Sequence, residues 1–207
     1  MAQPSSQTPE AAPIDGRRQR TLNSRARIIA AMLELTLSGQ TTVSAELVAE
    51  RANVGLRTVF RHFKDMDSLY REMSLTIERR LRDGVAFTFK SPAWRDRVGE
   101  LIARRADIFE MITPFKRAEA AHRDRSRFLE QDILRLNNFL RDKLREALPP
   151  ALHEDPVLFD ALDLLLSFEA WERLRREQRL SPRRAREVLE ATVARLLADV
   201  EDVVLDG

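Results

Sequence analysis

The 207-residue sequence contains no cysteine, only six glycines and a single tyrosine. The missing cysteine excludes a disulfide framework and any thiolate metal site. Few glycines, beside many alanines, leucines, arginines and glutamates, favour helices over the whole chain. No apolar run reaches the roughly 18 residues of a membrane-spanning helix, and no signal peptide is recognisable. We therefore expect a soluble, cytoplasmic, all-α protein that has no membrane partner.

The net charge is only +2, but the charges are unevenly distributed. Residues 1–90 contain 14 basic and 10 acidic side chains, whereas residues 91–207 contain 21 and 23. The positive excess therefore lies in the first half of the chain, and a phosphate-binding surface needs such an excess.

The sequence motifs typical of enzymes are missing. The sequence has no glycine-rich phosphate loop, no nucleophile elbow and no His-x-x-x-His pair. The three histidines, His62, His122 and His153, are widely spaced, and the carboxylates alternate with arginines at intervals typical of solvated helix faces. We expect no enzymatic activity, no cofactor and no metal site.

Residues 44–63 predict two short helices separated by a sharp turn. Ser44 is a good N-cap, and small apolar residues then recur at helical spacing, namely Ala45, Val48, Ala49 and Ala52. Asn53, Val54 and Gly55 break the pattern, and a second helix follows from Leu56 with Val59 and Phe63 turned inward. This arrangement predicts a helix-turn-helix.

The outer face of the second helix is basic and rich in hydrogen-bond donors, as a helix in the DNA major groove requires. Arg57 and Arg61 can donate to guanine O6 and N7, Thr58 can touch a base or a phosphate, and Phe60 can pack on a thymine methyl group or a sugar. Lys64 and Ser44 are better placed for phosphates. A merely solvated helix face is the alternative for both arginines. The predicted DNA-binding set is Ser44, Leu56, Arg57, Thr58, Phe60, Arg61, His62 and Lys64.

The segment V-G-x-x-T-V-F-R-H-F-K-D-M-D-S-L-Y, at residues 54–70, follows Gly39 and the pair Val48-Ala49. It resembles the region that closes the recognition helix in the tetracycline-repressor (TetR) family of bacterial regulators, and the resemblance covers residues 22–72. Phe60 stands where a tyrosine is common, and Glu46 where a basic or polar residue is frequent. Aromatic residues usual near Thr36 and Gln40 are absent. The resemblance places His62 near a DNA phosphate.

We expect about nine helices in three regions. Residues 1–20 are predicted to be a disordered tail with a basic end, 21–68 the DNA-binding domain, and 69–207 a ligand-sensing and dimerisation domain. The predicted helices span 23–38, the two above, 66–86, 93–113 (ended by Pro114), 115–122, 126–147 and 156–177, with a last helix opening at Ser181 and Pro182. Arg25 and Arg27 belong either to an arm that reaches phosphates or a minor groove, or to a solvated tail.

The last two predicted helices are apolar on more than one side, which favours a homodimer interface over the alternative of a monomeric bundle. Its expected residues are Leu165, Phe168, Trp171, Val193, Leu196 and Leu197. The family resemblance also implies a small-molecule pocket. Candidates to line it, for which plain core packing is the alternative, are Phe109, Met111, Phe115, Phe128, Phe139 and Phe168.

The combined expectation is a homodimeric, ligand-responsive repressor that binds a palindromic double-stranded operator and an unidentified small-molecule effector. Two alternatives stay open from the sequence. The first is a DNA-binding activator or non-sensing regulator of the same fold. The second is a helical adaptor or enzyme that does not bind DNA.

Overall fold

The computed structural model describes residues 16–85, 87–122 and 126–200, and within them every regular element is helical. A 3₁₀ turn at Pro150–His153 precedes α7, and α8 continues into a π-helical turn at Arg173–Glu177. The helices are α1 (Gly16–Leu37), α2 (Ala45–Arg51), α3 (Leu56–His62), α4 (Met66–Val85), α5 (Trp94–His122), α6 (Arg127–Ala147), α7 (Pro156–Leu165), α8 (Phe168–Glu172) and α9 (Pro182–Leu196). The predicted all-α fold is confirmed.

Most helices begin at side-chain caps that the sequence allows. The hydroxyl oxygen of Ser44 accepts a hydrogen bond from the Leu47 N–H at 3.3 Å, and Ser126 and Ser181 cap α6 and α9 in the same way. At the start of α4, Asp65 Oδ1 accepts from the Ser68 N–H at 2.8 Å while Ser68 Oγ accepts from the Asp65 N–H at 3.3 Å. These caps satisfy first-turn N–H groups that have no partner inside their own helix.

The prediction that Pro114 ends a helix is wrong, because α5 continues through it from Trp94 to His122. Proline removes one helical hydrogen bond, so tertiary contacts have to hold the chain on both sides. Phe109 is buried before Pro114 and Phe115 after it, and the Thr113 hydroxyl donates to the Phe109 carbonyl at 2.6 Å. The predicted helices 93–113 and 115–122 are therefore one element.

The predicted helix at 156–177 is divided in two. The chain leaves α7 at Leu166, and Ser167 starts α8 by accepting a hydrogen bond from the Ala170 N–H at 3.1 Å. At the other end of the chain, α1 begins at Gly16, seven residues before the predicted start at Asn23. Residues 16–20 of the predicted tail are therefore helical, while residues 1–15 lie outside the described part of the chain.

An amino-terminal core joins α1, α2, α3 and the first half of α4. It is composed of Ile28, Ala31, Met32, Leu33, Leu35, Val43, Ala45, Val48, Ala49, Ala52, Val59, Phe63, Leu69, Tyr70 and Met73, together with Phe115, Ala118 and Leu129. The last three come from α5 and α6. This core is thus completed by residues that lie about fifty positions further along the chain.

A carboxy-terminal core joins α5 to α9 and contains both tryptophans, Trp94 and Trp171. Its fully buried members include Phe109, Leu101, Leu144, Leu162 and Leu166. Half-buried Ile77, in the middle of α4, packs against both cores.

Polar contacts also join α4 to the helices behind it. The Ser74 hydroxyl on α4 donates to Glu119 Oε1 on α5. Glu119, only 3% exposed, also accepts from Lys116 Nζ at 2.9 Å, and Lys116 lies 3.5 Å from Asp132 of α6. Beside this network the Tyr70 and His122 rings stack with centroids 4.4 Å apart. The helix that follows α3 is therefore fixed to both α5 and α6.

Candidate nucleic-acid interface

The turn between α2 and α3 is tight and contains one residue, Asn53, with a left-handed backbone conformation. Asn53 has φ of +49°, a conformation that asparagine adopts more readily than most residues. The Asn53 N–H donates to the Glu50 carbonyl and the Val54 N–H to the Ala49 carbonyl, both at 3.0 Å. These two bonds form a Schellman motif, which satisfies the last carbonyls of α2.

Arg27 of α1, which the sequence assigns either to a phosphate-reaching arm or to a solvated tail, anchors this turn. Its Nη2 donates to the Asn53 carbonyl at 2.7 Å and also to the Ala52 carbonyl. The guanidinium therefore fixes α1 against the end of α2. Its sequence position gave no sign of this role, because the contact joins residues 25 and 26 positions apart.

The α3 helix presents two side-by-side rows to the outside. Val59 and Phe63 are only 1% and 3% exposed and hold the helix on the amino-terminal core, as predicted. Arg57 and Arg61 form an exposed cationic row, and Leu56 and Phe60 form an exposed apolar row, 38% and 48% accessible. Both rows have i, i+4 spacing, so each runs along one face of the helix. In a major groove, an exposed arginine can bond to guanine and an exposed apolar side chain can contact the thymine methyl group, so both rows suit this surface.

Thr58 and His62 are half-buried beside these rows, and Lys64 is exposed immediately after the helix. The His62 Nε2 atom is buried and has no hydrogen-bond partner. Burial lowers the pKa of His62 below its ordinary 6.5, and the positive charges of Arg61 and Arg25 lower it further. A nearby phosphate would reverse the charge effect, because an anion favours the protonated ring.

Arg25 lies at the same edge of α3. Its guanidinium lies 5.2 Å from the centre of the Phe63 ring and 2.9 Å from Glu72 of α4. The side chain remains 40% exposed, so it is available to a phosphate at the cost of a surface ion pair that contributes little. Ser44 is half-buried, and its hydroxyl oxygen caps α2. The Glu46 carboxylate accepts hydrogen bonds from its own backbone N–H and from the Ser44 hydroxyl group, and both lower the pKa of Glu46.

The six candidate ligand-binding residues do not come together around one cavity. Phe109 and Phe168 are buried in the carboxy-terminal core, with ring centres 5.6 Å apart. Phe139 packs on that core from outside, whereas Phe115 belongs to the amino-terminal core. Phe128 is half-buried beneath the guanidinium of Arg71, and Met111 is 56% exposed. Of the six, Phe109 and Phe168 are the pair whose rings contact each other.

Four of the six residues predicted for dimerisation lie inside the protomer. Phe168, Trp171, Val193 and Leu197 are each less than 9% exposed, and Leu165 packs against the same core. Leu196, 43% exposed, is the remaining residue of that set at the surface. A side chain buried within one chain offers little surface to another, so Leu196 is the most exposed residue of the predicted face, and the location of the dimer interface stays a prediction.

An exposed apolar stripe lies on α7. Val157 and Leu164 are 78% and 72% exposed, and exposed Ala161 lies between them. These residues have i, i+4, i+7 spacing and form one stripe. The sequence did not reveal it because residues 164–166 are three consecutive leucines, among which periodicity cannot choose the outer one.

Two features are absent from residues 16–85, 87–122 and 126–200. No helix in these ranges is long and apolar enough to cross a membrane. No group of three potential metal-ligating side chains was found in the same residues.

Comparisons with known proteins agree with this architecture at the level of fold. No family model matches the chain, and no curated protein matches it by sequence. Among solved structures, it is similar to a TetR transcriptional regulator from Rhodococcus sp. RHA1, with a TM-score of 0.55 and 19% identity. The alignment covers 88% of this chain and 100% of that chain. The protein has the fold of the TetR transcriptional regulators.

Proposed function

We propose that the protein is a DNA-binding transcriptional regulator in which α3 reads the major groove. The observation that carries this proposal is the pair of exposed rows on α3, one cationic and one apolar. A helix that served only to complete the core would have no need to expose Leu56 and Phe60 next to Arg57 and Arg61. The TetR-like fold adds support, because it surrounds α3 with the expected scaffold.

Each row suits a different part of the base pair. Arginine donates to O6 and N7 of guanine, and apolar side chains contact the methyl group of thymine. Lys64, His62 and Arg25 border the rows and supply donors for phosphates, which set the position of the helix but carry no sequence information. The rigid turn at Asn53, held by Arg27, keeps these groups in register.

We further propose that the protein acts as a homodimer on a palindromic operator. The α7 stripe of Val157, Ala161 and Leu164 supports this, because a monomer that exposed it to water would forgo the favourable burial of apolar surface. Two linked recognition helices would reach successive major grooves about 34–36 Å apart. A symmetric protein therefore selects a symmetric site.

We also propose that a small-molecule effector acts through α4 and that the protein represses transcription. This helix begins in the amino-terminal core, and its middle residue Ile77 contacts both cores. An effector that prefers a second position of α4 must weaken operator binding by the same factor as the operator weakens effector binding. Occupation of the operator would block transcription until the effector arrives.

The test is a binding titration with a DNA fragment from upstream of the protein's own gene. Arg57→Ala and Arg61→Ala should each weaken specific binding by ~1–3 kcal/mol and relax the preference at one base position. Lys64→Ala should weaken binding to all sequences about equally and reduce the slope of affinity against salt by about one.

Arg183→Ala is the matched control, because this arginine is 86% exposed on α9, remote from α3 in the chain. It should bind like the wild type. The proposal is wrong if neither α3 arginine changes the base preference, or if Arg183→Ala weakens binding as much as they do.

A further inference from the structure

Arg105 on α5 is buried in the carboxy-terminal core with only 3% of its surface exposed. Its Nη1 donates to the Leu166 carbonyl at 2.7 Å, and its Nη2 donates to the Leu140 carbonyl. The Nε–H group is also buried and has no hydrogen-bond partner. The positive charge of this guanidinium is therefore hydrogen-bonded to two neutral carbonyl oxygens, and its Nε–H donor is unused.

Three other arginines that join these helices bond to carboxylates. Arg117, Arg141 and Arg175 donate to carboxylates at 2.7–2.9 Å. Their side chains are 39%, 35% and 26% exposed. The most deeply buried of the four is thus the one whose hydrogen bonds reach no carboxylate, although burial without a counter-ion is most costly there.

The charge of Arg105 persists in this environment. Burial lowers the pKa of Arg105 to about 10, which still leaves the guanidinium protonated at neutral pH. Asp163 of α7 is the nearby negative charge that opposes this shift, but its Oδ2 already accepts from Arg141 at 2.9 Å. The fork of Arg105, with a free Nε–H, retains capacity for a carboxylate from outside the chain.

We propose that Arg105 binds the carboxylate of the effector, and that the effector is a small monocarboxylic acid with an apolar body. This inference rests on the proposed function as a ligand-responsive regulator. One guanidinium balances one negative charge, which favours a carboxylate over a phosphate dianion. Ile102 and Phe109 flank Arg105 on the same face of α5, and Phe109 contacts Phe168. These neighbours suit an aliphatic or aromatic hydrocarbon.

The position of the Leu166 carbonyl links this binding to the rest of the molecule. Leu166 lies at the break between α7 and α8, and α7 carries the exposed stripe proposed to contact the second copy. A carboxylate that takes the Nε–H and the adjacent Nη2–H of Arg105 as a bidentate pair competes with the Leu140 carbonyl of α6. Because the region is packed, α6 has to shift to admit the acid, and the guanidinium, still bonded to the Leu166 carbonyl through Nη1, transmits that shift to the break before α8.

The first experiment uses the wild-type protein without DNA. Hexanoate, octanoate and phenylacetate are each compared with the corresponding primary amide in thermal unfolding. At least one acid should raise the unfolding midpoint by roughly 5–10 °C when present at about one hundred times its dissociation constant. Its amide should bind at least tenfold more weakly, because it lacks the charge. If no acid in the panel is distinguished from its amide, the proposal is overturned.

The second experiment locates the charge with matched variants. Arg105→Gln should weaken binding of the preferred acid by on the order of 100-fold, and Arg105→Lys should retain a part of it. Arg117→Gln, on the same helix, should bind the acid like the wild type. Equal acid binding by Arg105→Gln and the wild type overturns the proposal.

A wild-type measurement decides the matter if Arg105→Gln does not fold. In protein labelled with ¹⁵N-arginine, the acid should shift the Nε–H resonance of one buried arginine, the resonance that is missing in Arg105→Lys. Acid binding that leaves this resonance unchanged overturns the proposal. Operator titration without acid is run separately, so loss of DNA binding and loss of acid binding are distinguishable results.

Discussion

The amino-terminal and carboxy-terminal cores differ in how their polar groups are satisfied. In the amino-terminal part, polar groups are satisfied by hydrogen bonds between residues close in sequence, as in the Asp65–Ser68 pair and the turn at Asn53. In the carboxy-terminal part, side chains reach across the fold. Arg105 bonds to Leu166, which is 61 positions away, and Arg95 donates to the Leu197 carbonyl, 102 positions away.

The conformation of the α3 region therefore depends mainly on neighbouring residues, whereas the environment of Arg105 depends on the complete fold. The turn before α3 is held by hydrogen bonds within a few residues and by Arg27 of the neighbouring α1. The environment of Arg105 depends on three helices that meet only in the finished fold. A rigid reading surface and an adjustable sensing region are what a ligand-controlled regulator needs.

The largest effect is expected from neighbouring leucines of α7. Leu162 is 1% exposed and Leu164 is 72% exposed. Leu162→Arg should cost about 3–5 kcal/mol, since it buries an unpaired charge, and should prevent folding. Leu164→Arg should leave the folded protomer intact but give a monomer with at least a hundredfold weaker operator binding. Thermal unfolding and analytical ultracentrifugation distinguish the two outcomes, and a Leu164→Arg protein that stays dimeric places the interface elsewhere.

The contact between the two cores can be weakened at Ile77. Ile77→Ala should destabilise the protein by about 1–2 kcal/mol, because Ile77 is only half-buried. It should also separate the unfolding of the two regions. Tryptophan fluorescence follows the carboxy-terminal core, which contains both Trp94 and Trp171, whereas far-UV circular dichroism follows all helices. Coincident curves in the variant would mean that the cores are coupled elsewhere.

Among the residues that the structure describes, each region has one residue other than glycine at positive φ, and the two should respond differently to glycine. Asn53 has φ of +49° and Arg179 has φ of +55°. Asparagine tolerates this conformation, so Asn53→Gly should be neutral within a few tenths of a kcal/mol, while Arg179→Gly should stabilise by about 0.5–1 kcal/mol. Asn53→Ala, expected to cost about 1 kcal/mol, is the control. Urea denaturation measures all three, and a stabilising Asn53→Gly would indicate strain in the turn.

A further expected effect is a pH dependence of operator affinity that involves His62. Its pKa in the free protein lies below 6.5, and a phosphate in the complex should raise it. Between these two pKa values binding takes up a proton, so affinity should rise as pH falls from 8 towards 6, by at most about tenfold per pH unit per protomer. His62→Gln should remove this slope, whereas His153→Gln should retain it. A slope that survives in His62→Gln belongs to another group.

The amino-terminal part is easier to predict from sequence because its determinants are local. Ser44, Asn53, Val59 and Phe63 all adopt the roles that spacing and residue type suggest. Arg27 is the exception, and its partners lie in the turn after α2. Local pattern thus indicates caps, turns and buried faces, but not which exposed arginine the fold has already engaged.

The carboxy-terminal part was predicted less well because long-range packing overrides local signals there. Pro114 reads as a helix terminator, yet burial of Phe109 and Phe115 on its two sides keeps α5 continuous. Leu164 and Leu165 are indistinguishable by pattern, and only the fold shows which one is outside. Nothing in the sequence indicates that Arg105 is buried, because an arginine among other charged residues of a helix resembles a solvent-exposed one.

The three late members of the amino-terminal core have a consequence for biosynthesis. Phe115, Ala118 and Leu129 complete a core whose other residues end at Met73. On the ribosome the first four helices therefore emerge before the surface that covers them, and they must wait until Leu129 has left the exit tunnel to bury their apolar side. A translation product truncated after α4 would expose that side to water. Such a fragment should recruit chaperones or aggregate and would not act as a free-standing DNA-binding module.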